Sequence, residues 1–326
     1  MPSSSALSVS HRRTKTVRLR LGTRGSRLAL AQAHALSAQL VALGHEPEIV
    51  TIKTSGDRGN REVLGAFVKE IQVALLKNEV DVALHCLKDL PTTPVPGLSL
   101  SAYLEREDAR DTLISRGPSL KSLPEGAVIG TGSLRRTSQI ARMRPDVTFK
   151  PLVGNVDTRM RKLMDGEYDA IVLAIAGLKR LGVLDKWAES DYRDLTVFPK
   201  ETETIVPAPG QAILVLETRA DDADAIAAVA PLHHEPSSAA GRAERAFLAK
   251  FGGGCSVPVG AFAKETEQGL SLVGCVASPD GRQHSQGHNF AEDRTPEGQG
   301  RALADTLDAY DIVAAVLRNR DGGGEH

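Results

Sequence analysis

Residues 17–54 read VRLRLGTRGSRLALAQAHALSAQLVALGHEPEIVTIKT, and their pattern decides the fold. Val17 to Gly22 alternates side-chain character as a strand does. Ser26 stands where a helix N-cap belongs, Leu28, Leu36, Leu40 and Leu43 follow on near-helical spacing, and Gly44 is a stop. Glu48 to Thr54 reads as the next strand. A strand, a helix and a strand in this order form a βαβ unit and imply a parallel sheet.

Outward from that unit, residues 55–66 read as a loop, Phe67 to Lys77 as a helix, and Val80 to His85 as a buried strand running into Leu87-Lys88-Asp89-Leu90-Pro91. Leu98 to Tyr103 is a short strand, and the polar segment Glu105 to Asp111 a crossover. A second α/β series follows, with strands Ala127–Gly130, Thr148–Leu152 and Ala170–Ala174. Its helices are Ser133–Met143, Val156–Met164 and one that ends at Arg180. Past Pro207–Gly210 comes a strand, Ala212–Glu217. A third region holds a helix Ser237–Lys250, a glycine loop ending at Cys255, strands near Val257–Ala263 and Leu270–Ala277, and a helix near Arg301–Asn319. Open parallel sheets bind ligands beyond the carboxyl ends of their strands. Two such domains facing each other form a cleft, the plan of two-lobed binding proteins.

Composition narrows the function. Of 326 residues, 41% are hydrophobic and 25% charged, which suits a globular protein with a real core. The longest apolar run, Ala170 to Leu178, falls short of the ~20 residues a membrane span needs. Cys86, Cys255 and Cys275 show no CxxC spacing, which excludes a disulfide scaffold and a structural zinc site and suits a reducing cytoplasm. The net charge of −1 argues against a general nucleic-acid binder. Yet residues 1–45 carry seven Arg/Lys and no acid, and residues 131–180 carry ten basic against five acidic residues. Arginine holds carboxylates bidentately, so a small anionic ligand is expected. Residues 1–16 read as a disordered basic N-terminus rather than a transit peptide.

The motifs carry two readings each. In Gly130-Thr131-Gly132-Ser133-Leu134-Arg135-Arg136 a strand turns into a helix, and its N–H groups and hydroxyls suit an anion. The plainer reading makes Ser133 an N-cap and the arginines a solvated face. Arg24-Gly25-Ser26 repeats both possibilities at the first turn. Lys88-Asp89 leaves a buried strand at the expected cleft, where the carboxylate can hold a cation or move protons. Cys255 follows three glycines with no base nearby, which fits attachment better than hydrolysis. Cys86 and Cys275 read as core, and His233-His234 point different ways on a helix and make a poor metal pair.

Taken together, GTRGSRLALAQA, FVKEIQVALL, LKDLP, EREDARD, GTGSLRR, GNVDTRM, GEYDAIVLAIAGLKRLG, PAPGQ, AERAFL and GGGCSVPVG resemble the porphobilinogen deaminases in kind and order, from about Arg18 to the C-terminal region. The resemblance implies two periplasmic-binding-protein-like α/β domains forming a cleft plus a smaller C-terminal α+β domain. The expected units are 17–104 with 205–222, then 105–204, then 223–326. It implies a cytoplasmic, monomeric transferase that condenses four porphobilinogen molecules head to tail, losing ammonia, to give hydroxymethylbilane. The chain grows on a dipyrromethane cofactor bound by thioether to the cysteine matching Cys255. Asp89 matches the catalytic aspartate, which would stabilise the azafulvene cation and assist proton transfers. Lys88, Thr131, Ser133, Arg135 and Arg136 match cofactor contacts, and Arg24, Ser26, Phe67, Arg159 and Arg180 match substrate contacts. No metal, nucleotide, nucleic acid or membrane is implied.

The chain departs from the family pattern at three places. Val153 stands where an arginine is usual, Cys86 where a serine is usual, and the loop after Gly56-Asp57 is short, with Arg58 and Arg61 as possible substitutes. Three rival readings accompany this one. A catalytically inactive two-lobed binder of small carboxylates explains the arginines but not Lys88-Asp89 with Cys255. An RNA- or phosphate-binding module conflicts with the near-zero net charge. A catalytic-cysteine hydrolase predicts a transient acyl adduct instead of a lasting thioether.

Overall fold

In the computed structural model, which describes residues 15–56, 65, 67–252, 258–291, 295–307 and 312, the opening βαβ unit forms as its periodicity requires. Strand β1 (Arg18–Thr23) pairs in parallel with β2 (Glu46–Thr51), Leu21 opposite Ile49. Helix α1 (Arg27–Ala42) connects them, and the Ser26 hydroxyl caps it by accepting from Ala29 N. Helix α2 (Lys69–Leu76) leads to β3 (Val82–Cys86), which joins β1 in parallel and ends in a single 3-10 turn, Leu87–Asp89. Strand β4 (Leu98–Tyr103) completes this stretch.

The chain then crosses to a second sheet. There it builds β5 (Asp111–Ser115), β6 (Val128–Gly130), α3 (Leu134–Met143), β7 (Thr148–Lys150), α4 (Val156–Met164), β8 (Ala170–Ala174), α5 (Ile175–Arg180) and β9 (Thr196–Pro199). It returns as β10 (Leu214–Arg219), which slots antiparallel between β3 and β4. The sheet orders are β2-β1-β3-β10-β4 and β7-β6-β8-β5-β9. Both sheets place three parallel strands first and then one antiparallel strand delivered by a crossover, so the lobes repeat one plan. Alternate residues of β8 pack on opposite sides, Val172 with Ile129 and Ile140, Ile171 with Met160 and Leu163. Burial on both faces explains why this strand reads as a continuous apolar run.

Strand β5 lies outside the expected elements, since it begins at Asp111 where the polar crossover ends. Asp111, Thr112 and Ser115 are polar yet wholly buried, so they erase the apolar signal. Strand β9 also lay outside the expected elements.

Helix α6 (Ala223–Val229) packs Ala225, Ala228 and Val229 on the first-lobe core, and a third unit follows: α7 (Glu235–Lys250), β11 (Val259–Thr266), β12 (Gly269–Ala277), β13 (His284–Ala291) and α8 (Pro296–Thr306). Its sheet is antiparallel, β11-β12-β13, and Ala243, Phe247, Leu272 and Leu303 form the core between sheet and helices. The α7 and α8 backbones touch, since a Cβ on Gly300 would meet Ala243 O at 2.1 Å. Helix α6 and strand β13 were not expected, and α8 starts at Pro296 ahead of Arg301. The architecture is thus two α/β lobes and a smaller α+β unit. No helix among the described residues is long and apolar enough to cross a membrane.

Candidate active site

The turn Leu87–Asp89 is locked from below. Leu87 N donates to Ile213 O at 3.0 Å, and the Leu87 side chain is wholly buried. Gly210, at φ +78, lies so close that a Cβ would stand 2.8 Å from Leu87 Cγ and 3.0 Å from Lys88 N. Only glycine combines that backbone conformation with that approach. Lys88 and Asp89 therefore leave β3 in one fixed direction.

Asp89 lines a cavity with Thr23, Arg24, Gln32, Phe67, His85 and Cys86. The Arg24 guanidinium sits 4.0 Å over the Phe67 ring, a cation–π contact. Behind that ring is Gly56, where a Cβ would come within 2.2 Å of it. The cavity wall is deepened by a buried triad. Gln72 Nε2 donates to both Glu217 oxygens, at 3.0 and 3.1 Å, and His85 Nε2 stands 3.1 Å from Glu217 Oε2. Because Glu217 accepts from the amide at both oxygens, His85 donates to it through Nε2–H.

Lys88 Nζ donates to Gln211 Oε1 at 3.3 Å. Burial pushes the ammonium below its ordinary value, and neighbouring Asp89 pulls it partly back. Gln211 then continues into the second lobe. Its Nε2 donates to Ala109 O at 2.7 Å and to Asp111 Oδ1 at 3.0 Å. Asp111 is ion-paired with Arg135 at 2.8 Å and Arg136 at 2.7 Å. Burial alone would raise the Asp111 carboxyl, but the two guanidinium groups outweigh it and hold the carboxyl well below its usual range. Arg135 also donates to Val206 O and Arg136 to Val172 O. Both arginines are buried and neither forms a solvated face. The carboxylate they meet in this structure belongs to the protein.

The helix-start residues do two jobs. Ser26 caps α1, and Ser133 caps α3 by accepting from Arg136 N at 3.4 Å. Capping uses a lone pair, so each hydroxyl keeps its O–H to donate. Thr131 Oγ1 accepts from Ser133 N and tightens the same turn. Arg159 Nε donates to Gly154 O, below the Asn155 cap of α4. Arg180 Nη2 donates to Ala212 O at 2.6 Å, and burial pushes its guanidinium below the ordinary value. Arg180 and Gln32 border a second cavity of about 710 Å³ beside residues 104–107. The lobes also meet through Arg27 and Asp157, at 2.7 Å.

The expected residues thus fall in three groups. Arg24, Ser26, Phe67, Lys88 and Asp89 cluster at the ends of β1 and β3. Thr131, Ser133, Arg135, Arg136 and Arg159 surround the starts of α3 and α4. Arg180 stands by the crossovers. Cys255, Arg58 and Arg61 lie outside the described residues. Cys275 is core, its thiol raised by burial to about 11. Cys86 corrects the core expectation in part: it packs on the first-lobe core but also lines the Asp89 cavity. His233 Nδ1 accepts from Tyr103 N, and His234 caps α7. The structure adds Gln32, Gln211, Asp111 and the His85–Glu217–Gln72 triad to the residues that the motifs single out. The last residues of EREDARD and PAPGQ, Asp111 and Gln211, were signals in plain sight.

The donor set suits a ligand with several carboxylates and N–H groups. Arg24, Lys88 and Arg180 supply positive charge, and Asp89 supplies an acceptor. Gln32 Nε2 lies buried beside the Cys86 thiol in the wall of the Asp89 cavity.

Two family models match the chain. One, described as porphobilinogen deaminase, dipyromethane cofactor binding domain, matches residues 19–227. The other, described as porphobilinogen deaminase, C-terminal domain, matches residues 239–309. A porphobilinogen deaminase of Syntrophomonas wolfei is 42% identical, covering 89% of this chain and 94% of its own. That of Chromobacterium violaceum is 43% identical over 91% of this chain and 97% of its own. That of Thermus thermophilus is 48% identical over 80% and 86%. Among solved structures, the VFT2 domain of Bordetella pertussis BvgS aligns with 66% of this chain and 84% of that one, at 15% identity and a TM-score of 0.40.

Proposed function

The chain belongs to the porphobilinogen deaminase family, and from that footing we propose how its own residues serve the family's reaction. The enzyme is a transferase that condenses four porphobilinogen molecules head to tail, with loss of ammonia, to give hydroxymethylbilane. Its cofactor is dipyrromethane, which when bound supplies the pyrrole carbon to which the first substrate is joined. The inactive-binder alternative is not favoured by these relatives.

Each pyrrole unit brings an acetate and a propionate. Arg24, Ser26, Arg159 and Arg180 bind those of the substrate, and Phe67 keeps Arg24 aimed through the stacked contact. Lys88, Thr131, Ser133, Arg135 and Arg136 would hold the cofactor, and Cys255 would carry it by thioether. Asp89 accepts hydrogen bonds from pyrrole N–H groups. Its negative charge stabilises the cation left when ammonia departs, and its carboxylate takes the proton that the attacking pyrrole carbon gives up. Arg135 and Arg136 act while paired to Asp111, so they arrive oriented and keep remaining N–H donors for ligand oxygens. The observation that supports this reading best is the meeting of Asp89, Arg24 and Phe67 in one cavity, joined through Lys88 and Gln211 to the second-lobe arginines.

We further propose a cytoplasmic monomer with folding units 17–104 plus 205–222, 105–204 and 223–326. Intact mass tests the attachment: an excess of two linked pyrrole units is expected in the wild type and not in Cys255→Ser. Turnover by the Asp89→Ala holoenzyme tests the chemistry. Near-complete loss is expected, and normal turnover would sink the assignment of Asp89. Size-exclusion chromatography with light scattering tests the monomer.

A further inference from the structure

Helix α7 reaches out of the third unit and closes on the turn that carries Lys88 and Asp89. A Cβ on Gly241 would lie 2.6 Å from Leu87 Cδ2, so the helix backbone rests on the turn itself. Glu244, wholly buried, accepts from Gly210 N at 2.6 Å, and Gly210 is packed on Leu87 and Lys88. Glu244 is fixed in turn by Arg106, whose guanidinium pairs with it at 2.7 and 2.9 Å. Arg245 completes the grip. Its Nη1 donates to Leu90 O at 3.0 Å and its Nη2 to Pro91 O at 2.6 Å. Those two carbonyls belong to the residues directly after Asp89.

A half-buried cation spent on two backbone carbonyls makes an expensive contact unless it fixes something. Here it sets the direction in which the chain leaves the catalytic turn. Resting on the reading of Asp89 as the catalytic carboxylate, we propose that Arg245 is a positioning residue of the reaction: it holds the backbone after Asp89 in register with helix α7 of the third unit.

The test uses holoenzyme whose cofactor content has been verified by intact mass. Misplacing a catalytic group by ~1 Å costs up to about 100-fold in rate, so Arg245→Ala should lower kcat at least tenfold. KM should stay within about twofold, because the substrate contacts are elsewhere. Arg245→Lys, able to make one of the two bonds, should recover part of kcat, and the pH profile of kcat should shift in Arg245→Ala. Arg242→Ala on the same helix, which loses only pairs to Glu235 and Glu297, serves as the control at wild-type rate. Wild-type kcat in folded Arg245→Ala overturns the proposal. So does a loss that tracks thermal stability alone, with Lys no better than Ala and an unmoved pH profile. Asp89→Asn separates the two layers. If it is dead while Arg245→Ala is normal, only the positioning role fails; if it turns over normally, the reading beneath fails.

Discussion

Gln211 Nε2 donates to Asp111 Oδ1 at 3.0 Å, and through its Oε1 the same amide takes the Lys88 ammonium of the other lobe. One neutral side chain thus couples the Lys88–Asp89 turn to the Arg135–Arg136 pair. Gln211→Met keeps the volume and removes both of these bonds together with the one to Ala109 O. Leaving buried polar groups unpaired costs about 1–3 kcal/mol, so urea unfolding should show a loss of that size. Steady-state assays should show kcat falling as Lys88 loses its anchor.

Asp111 makes a larger demand. Asp111→Asn leaves two buried guanidinium groups without their counter-charge, and breaking a buried pair from one side costs about 3–5 kcal/mol. Thermal unfolding at neutral pH should reveal it. In the wild type the folded carboxyl lies below its ordinary 3.8, so the unfolded chain binds the proton first. This contribution is complete above that ordinary value and is lost as pH falls through the folded one. An acid-unfolding limb that persists unchanged in Asp111→Asn would contradict the assignment.

Gly56 backs the Phe67 ring. Gly56→Ala pushes the ring off, because its Cβ would come within 2.2 Å. Arg24 then loses its stacking partner, worth roughly 0.5–2 kcal/mol. The expected result is a several-fold rise in KM for porphobilinogen with the global stability little changed.

His284 joins the third unit to α3, its ring nitrogens 3.1 and 3.4 Å from Arg142 Nη1. Burial first, and Arg142 second, hold its pKa below the ordinary 6.5. Folding therefore favours the neutral ring, and the contribution is present above that value and fades as pH drops. Melting temperature should decline between neutral and mildly acidic pH, and His284→Gln should flatten part of that decline.

Arg27 and Asp157 bridge the lobes at a largely exposed site, 61% and 29%. Water screens such a pair, so Arg27→Ala should cost under about 1 kcal/mol. Its signature is salt sensitivity: KM should rise with ionic strength in the wild type and respond less in the variant.

Much of this protein was legible in the chain. Helix α4, β8 and α5 fall where the periodicity put them, and Ser26 and Ser133 cap as read. The missed elements share a cause. In β5 the buried side chains are Asp, Thr and Ser, so hydropathy hides the strand. In β13 the run His-Ser-Gln-Gly-His-Asn has no apolar alternation, and pairing with β12 alone makes it a strand.

The βαβ rhythm, the helix caps and the ordered motifs that mark the family are local signals, carried by residues close along the chain. Packing between distant parts of the chain settled which carboxylate the arginines meet and what holds the Leu87–Asp89 turn. Arg136 finds Asp111 25 positions away, Gln211 finds it 100 positions away, and Arg245 reaches Leu90 across 155. Such pairs arise where crossovers and a third unit bury polar groups together, and burial makes each group take whatever partner the packing brings.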